Sequence, residues 1–297
     1  MTLAHLHASR VRDRRTMLIV GAITSGTFVI EVVGGLVTGS LALLADAGHM
    51  FTDILALLMA FAALVLASRP ATARKTWGYH RAEILSAFVN GVLLLALSAG
   101  ILWQASERLA VPRDVASGGM ALVASIGLLA NVTGVWLLSR SSRSLNVRGA
   151  FWHLFGDTIS SVGVLVGGVA IAITGVTRID AVVSIGISLI ILYGAGRLVW
   201  EASDVLLESV PGNVDSQAVQ DAIGSLPGVV GVRDLHIWSI TTGLPALSGH
   251  VIIPNGSAAA SDEILNTIKK VLNTRFGIAH STIQVQTEDY REVAELH

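Results

Sequence analysis

Residues 41–68 read LALLADAGHMFTDILALLMAFAALVLAS, an apolar run whose ionisable members are Asp46, His49 and Asp53. A helix needs about 20 mostly apolar residues to cross the hydrocarbon core of a bilayer, and this run is long enough. Five further stretches qualify, at about 17–37, 84–106, 115–139, 149–175 and 181–207. Only Thr38, Gly39 and Ser40 separate the first two, which leaves room for a tight turn alone. The whole composition agrees: of 297 residues, 52% are hydrophobic and 14% charged, against about 25% charged in a soluble globular chain. Mean hydropathy is +0.67. The chain therefore reads as an α-helical polytopic membrane domain with six transmembrane helices. A net charge of −1 argues against a nucleic-acid partner, which requires a clustered basic surface. The absence of cysteine excludes disulfides, thiolate-bound zinc and iron–sulfur clusters. A metal must be held by His, Asp, Glu or backbone.

Orientation follows from the loop charges. Eleven Lys/Arg fall in the N-terminal segment 1–16 and in the second and fourth loops, while Arg108, Arg113 and Arg178 serve the other side. Both termini are expected in the cytoplasm, the protein being multi-pass in an inner (plasma) membrane. The apolar run behind the basic N-terminus exceeds the core of a cleavable signal, so it is read as a span. The transport domain is expected at 17–207. Beyond it the composition changes: residues 208–297 hold five Lys/Arg against ten Asp/Glu. This acidic segment reads as a small cytoplasmic α+β domain of αββαβ, ferredoxin-like order, with helices at 215–225 and 259–276 and strands at 229–240, 246–253 and 282–287. The first strand alternates, with Val232, Asp234, His236 and Trp238 on one side and Leu235, Ile237 and Ser239 on the other.

Ionisable groups inside a span cost about 2.5–3.5 kcal/mol on insertion scales, so each is a functional candidate. His49-Met-Phe-Thr-Asp53 and His153-Leu-Phe-Gly-Asp157 share the form His-x-x-x-Asp, and an i, i+4 separation places both side chains on one helix face. If the second and fifth helices face each other, two imidazoles and two carboxylates converge. That is a tetrahedral N2O2 site, suited to zinc and open to cobalt, cadmium or nickel. Asp46, three residues before His49, shares that face as a partner of the ligands or a proton-path group, or else sits near the membrane interface. Glu31 pairs with a backbone donor or lines a cavity, and Asn90 and Asn131 are expected to bond between helices.

With these motifs, the Gly-Tyr-His-Arg-Ala-Glu run at 78–83 and the Asp-Leu-His-Ile-Trp-Ser run at 234–239, the chain resembles the cation diffusion facilitator family, and most of all its zinc-exporting bacterial branch. The resemblance extends over about 16–290. It implies a homodimer that exports Zn2+ in exchange for protons, with His49, Asp53, His153 and Asp157 as the transport site. Histidine in both motifs favours zinc without excluding cadmium or cobalt. It further implies a regulatory metal site in the C-terminal domain, whose candidates are His236, His250, His280 and Glu288, with help from Asp234. Val285 and Thr287 stand where some relatives carry a histidine. Relatives also pair a basic residue at the start of the third span with an acidic one after the sixth, so Arg81 and Glu208 are expected to meet and to clamp the dimer. His80 is a loop ligand or merely interfacial, and His5 and His7 make at best a weak chelating tail.

Energy coupling can be argued from the residues alone. No phosphate-cradling Gly-x-x-x-x-Gly-Lys run is present, nor a His-Glu-x-x-His helix or Gly-x-Ser-x-Gly elbow, so the chain is read as no enzyme and any motor must be a gradient. The four ligands bind metal only with neutral histidines and ionised aspartates, so metal and protons compete. Free imidazole titrates near about pH 6.5, within reach of a transmembrane pH difference. Two other classes stay open: a passive divalent-cation channel or uptake carrier, and a metal sensor without flux.

Overall fold

Hydrophobicity that covers every side of a helix can be buried only in lipid or in a very large core, and six such helices dominate the chain. In the computed structural model, which describes residues 3–140, 145–255 and 261–290, they are α1 (Leu3–Thr38), α2 (Leu41–Ala67), α3 (Arg81–Ala110), α4 (Ser117–Ser139), α5 (Leu145–Thr174) and α6 (Arg178–Leu206). Each contains a stretch long and apolar enough to cross a membrane. Large apolar side chains such as Leu57, Phe61, Leu64 and Ile190 are exposed on their flanks, where lipid would meet them. The apolar runs mark the part of each helix that needs lipid, and the helices themselves continue: α1 begins at Leu3, and α3 and α6 at Arg81 and Arg178, three residues before the expected starts. The side chains of His5, His7, Arg10, Arg12, Arg14, Arg15, Arg143 and Arg148, and residues 291–297, lie outside the described part.

The chain forms two compact units, Met1–Met59 with Val89–Leu198 and Ala60–Phe88 with Val199–His297. In the first, the opening turns of α2 (Leu41, Leu43, Ala45) are buried in a cluster with Met120 and Ala124 of α4, Val164 of α5 and Ile187 of α6. Gly39, at φ +70°, makes the α1–α2 turn, a conformation that costs glycine nothing. Gly168 lets α5 approach α4 closely: a Cβ there would stand 3.1 Å from the Ala121 nitrogen and 3.3 Å from its Cα. Gly168→Val is expected to cost about 1–3 kcal/mol by overpacking, read as a lowered melting temperature of the detergent-solubilised protein. An unchanged melting temperature would show that the two helices part readily.

The second unit contains the α+β domain: α7 (Ser216–Gly224), β1 (Gly231–Thr241), β2 (Leu244–Ile253), α8 (Ser261–Phe276) and β3 (His280–Thr287). Asp215 caps α7, its carboxylate accepting from the backbone amides of Gln217 and Ala218 at 2.9 and 3.2 Å. The sheet order is β1-β2-β3; β1 and β2 form an antiparallel hairpin, and β3 runs parallel to β2 after the α8 crossover. One face carries Ile237, Leu247, Val251 and Ile253 into a core with Ile223, Ile268 and Leu272 of the helices.

The simple alternation expected of β1 is corrected by a bulge. Arg233 lies opposite His250 and His236 opposite Ser248, so three steps on β1 match two on β2. Asp234 takes φ +49° there. Val232, opposite Val251, consequently belongs with Ile237 on the core face, while His236 and Trp238 share the opposite face with Arg233.

Candidate metal centre

Helical spacing alone aligns His49 with Asp53 on α2 and His153 with Asp157 on α5, and packing of the two helices brings the pairs together. His49 Nε2 lies 3.6 Å from Asp53 Oδ2 and 3.7 Å from Asp157 Oδ1. His153 Nε2 lies 3.3 Å from Asp53 Oδ2 and 3.7 Å from Asp157 Oδ2. Each carboxylate is thus bracketed by both imidazoles, and the rings meet edge to face with centroids 5.9 Å apart. Ligand atoms of His49, His153 and Asp157 all lie within 4.8 Å of one another, and Asp53 joins them through its contacts with the two rings. Zinc binds nitrogen and oxygen at about 2.0–2.2 Å, and a tetrahedron of that radius has edges of about 3.4 Å. The four N···O separations, 3.3 to 3.7 Å, are therefore close to what one tetrahedral ion spans.

The donor set also calls for a cation on electrostatic grounds. Asp157 is 5% exposed, the Asp53 side chain is 28% exposed with its Oδ2 buried between the two imidazoles, and His49 Nδ1 is buried without a hydrogen-bond partner among the described residues. Two carboxylates placed so in apolar surroundings are costly unless a positive charge joins them. A cavity of about 700 Å³ reaches His49, His153 and Asp157 from the side of α6, past Ser160, Ile187 and Ile190.

Asp46 is 3% exposed and accepts hydrogen bonds from Ser160 Oγ at 2.7 Å and Ser161 Oγ at 3.4 Å. Ser161 in turn accepts one from Asn131 Nδ2 of α4 at 3.0 Å. Asp46 therefore ties α2 to α5 beside the ligands. Glu31 is 1% exposed beside Gly127, its Oε2 without a hydrogen-bond partner among the described residues.

Arg81 and Glu208 meet within one chain, Nη2 to Oε1 at 2.7 Å, both largely exposed; such a pair contributes about 0–1 kcal/mol. The other candidates share a sheet face without forming a cluster. His236 Nε2 is 2.8 Å from Asp234 Oδ1, His250 Nδ1 is 3.1 Å from the Gln286 amide, and the His280 ring packs edge-on against Trp77 at 4.6 Å. His280 lies opposite Ala246, four residues along β2 from His250 and hence about 13 Å away. Glu288 follows β3 in a turn. Within one chain, among the described residues, His49, His153 and Asp157 form the group able to hold a metal.

Sequence reasoning missed a polar knot at the N-terminal end of α2. The buried Asp180 carboxylate accepts from Ser40 Oγ at 2.6 Å, from the amides of Leu41 and Ala42 at 2.8 and 3.2 Å, and from Arg108 Nη1 at 3.3 Å. Arg108 Nη1 also donates to the Gly39 carbonyl at 2.6 Å. The available signal was Ser40, a helix-capping residue directly before an apolar run, whose Oγ accepts from the Leu43 amide at 3.2 Å.

Comparison with known proteins covers both units. A family model described as the cation efflux transmembrane domain matches residues 17–207, and one described as the cation efflux protein, cytoplasmic domain, matches 211–288. The metal cation efflux system protein CzcD of Cupriavidus metallidurans is 41% identical, over 96% of this chain and 90% of its own. The cadmium, cobalt and zinc/H(+)-K(+) antiporter of Bacillus velezensis is 36% identical, over 95% and 91%. Zinc transporter ZitB of Escherichia coli is 38% identical, over 96% and 93%.

Proposed function

Since the chain belongs to the cation efflux, or cation diffusion facilitator, family, we propose that it is a secondary active transporter that exports Zn2+ from the cytoplasm in exchange for H+, with Cd2+ and Co2+ as further substrates. The transport site is His49, Asp53, His153 and Asp157, and the observation that carries this reading is the closed ring of four N···O separations between α2 and α5. Residues 17–207 form the transport domain, and residues 208–297 the cytoplasmic domain through which two copies associate in the inner membrane, both termini inside.

The ligands supply the coupling. Neutral imidazoles offer Nε2 lone pairs and the two aspartates supply the charge that balances a dication, so the loaded site is electrically neutral in an apolar surround. Protonating an imidazole removes its lone pair and adds a positive charge, which weakens the hold on metal. Deprotonation facing the cytoplasm therefore loads metal, and reprotonation facing outward releases it. The ligands come from two helices, so a relative shift of α2 and α5 opens the ring. A fixed four-ligand site holds an ion too firmly for fast conduction, which favours a carrier over a channel.

The test is zinc accumulation in proteoliposomes containing an interior zinc dye, with and without an inside-acid pH gradient. Accumulation that requires the gradient is the expected result. Equal flux without it would convert the reading to a channel, and zinc binding without any flux would convert it to a sensor.

A further inference from the structure

Within the second unit, a cavity of about 590 Å³ opens beside the ends of three membrane helices. Its apolar side is built from Leu66 of α2, Leu85 of α3, Leu206 of α6 and Ile240 of β1, with the aromatic rings of Trp77, Tyr79 and Trp238 around it. Lys75, His80 and Arg81 supply the polar side. Arg81 is neutralised by Glu208 at 2.7 Å. Lys75 is not: its Nζ sits 5.1 Å above the Tyr79 ring, and among the described residues neither it nor His80 forms an ion pair. The cavity thus combines an uncompensated cation with an apolar wall formed where helices leave the bilayer.

Each simpler occupant leaves part of that wall unexplained. A soluble anion would use Lys75 but leave the leucines wet, and a neutral lipid would cover the leucines without answering the charge. A metal would find His80 and an already paired Glu208. Tryptophan and tyrosine beside basic residues at the end of a span are the usual surroundings of a lipid headgroup. We infer that this cavity binds one anionic phospholipid, its phosphate held by Lys75 and His80 and its glycerol and upper acyl chain lying on Leu66, Leu85 and Leu206. Bound there, the lipid would bridge the 68–80 connection and β1 through Trp77 and Trp238. The inference requires that the helices cross a bilayer and is independent of which ion the protein moves.

The test is native mass spectrometry of the full-length protein, extracted in mild detergent and offered phosphatidylglycerol and phosphatidylcholine in equal amounts. Wild type is expected to retain phosphatidylglycerol preferentially. Lys75→Gln is expected to weaken that retention about fivefold, the usual worth of one basic residue at an anionic membrane surface, leaving phosphatidylcholine unaffected. Lys75→Arg should restore it, which separates loss of charge from damage to the fold. Equal retention of the two lipids by wild type, or a Lys75→Gln profile matching wild type, would overturn the inference. So would displacement of the lipid by an equal concentration of inorganic phosphate, which would make this a site for a free anion.

Discussion

Asp157→Ala is expected to lower gradient-driven zinc accumulation at least about 100-fold, more than the 10–100-fold typical of losing a residue that merely supports a ligand. Asp157 is among the most buried ionisable residues of the protein and touches both imidazoles at 3.7 Å. Removing it halves the negative charge that balances the dication and opens two edges of the ring. Asp157→Asn tests which loss matters: it keeps the shape and one oxygen but removes the charge, and should be nearly as inactive as alanine. The fold should survive both changes, because the native carboxylate in an apolar span is an expense of function. Zinc affinity measured by titration calorimetry must fall together with flux. Retained binding with lost flux would place Asp157 in the conformational cycle and leave the ligand set incomplete.

What could be read beforehand, and what could not, follows from where each signal resides. A charge inside a span has no inexpensive alternative placement, so His49, Asp53, His153 and Asp157 announced themselves by residue type and spacing. The six helices were legible from the length of their apolar runs, although their ends were not: Leu3 and Arg178 begin helices that extend beyond the apolar window. Asp46 had two readings because its partners, Ser160 and Ser161, depend on how α2 and α5 are turned toward each other, which no local pattern encodes. The bulge at Asp234 adds one unpaired residue to β1 and reverses the phase of everything before it, an effect invisible to a count of alternating residues. His236, His250 and His280 share one sheet face, yet their spacing along the strands keeps them apart within a chain. The Asp180 knot escaped because two of its donors are backbone amides, which carry no mark in the sequence.

That knot yields the largest expected effect on stability. Asp180 is 1% exposed and receives donors from the α1–α2 turn, the start of α2 and the end of α3. Its negative charge faces the N-terminus of α2, where the helix dipole favours an anion, and compensates Arg108, whose side chain is 13% exposed. Asp180→Ala would leave the guanidinium without its counter-charge and the amides of Leu41 and Ala42 without an acceptor, at a cost of about 3–5 kcal/mol, the usual penalty for removing one partner of a buried pair. Asp180→Asn should cost less, since an amide oxygen still accepts from one of these donors. Removing both charges, as Asp180→Asn with Arg108→Met, should recover part of the loss, because no buried cation is then stranded. Melting in detergent measures each step, and an unchanged melting temperature for Asp180→Ala would refute the assignment. A destabilised Asp180→Ala beside a stable but inactive Asp157→Ala would separate the residues that hold α2 in place from those that use it, although both sets are buried carboxylates within one membrane domain.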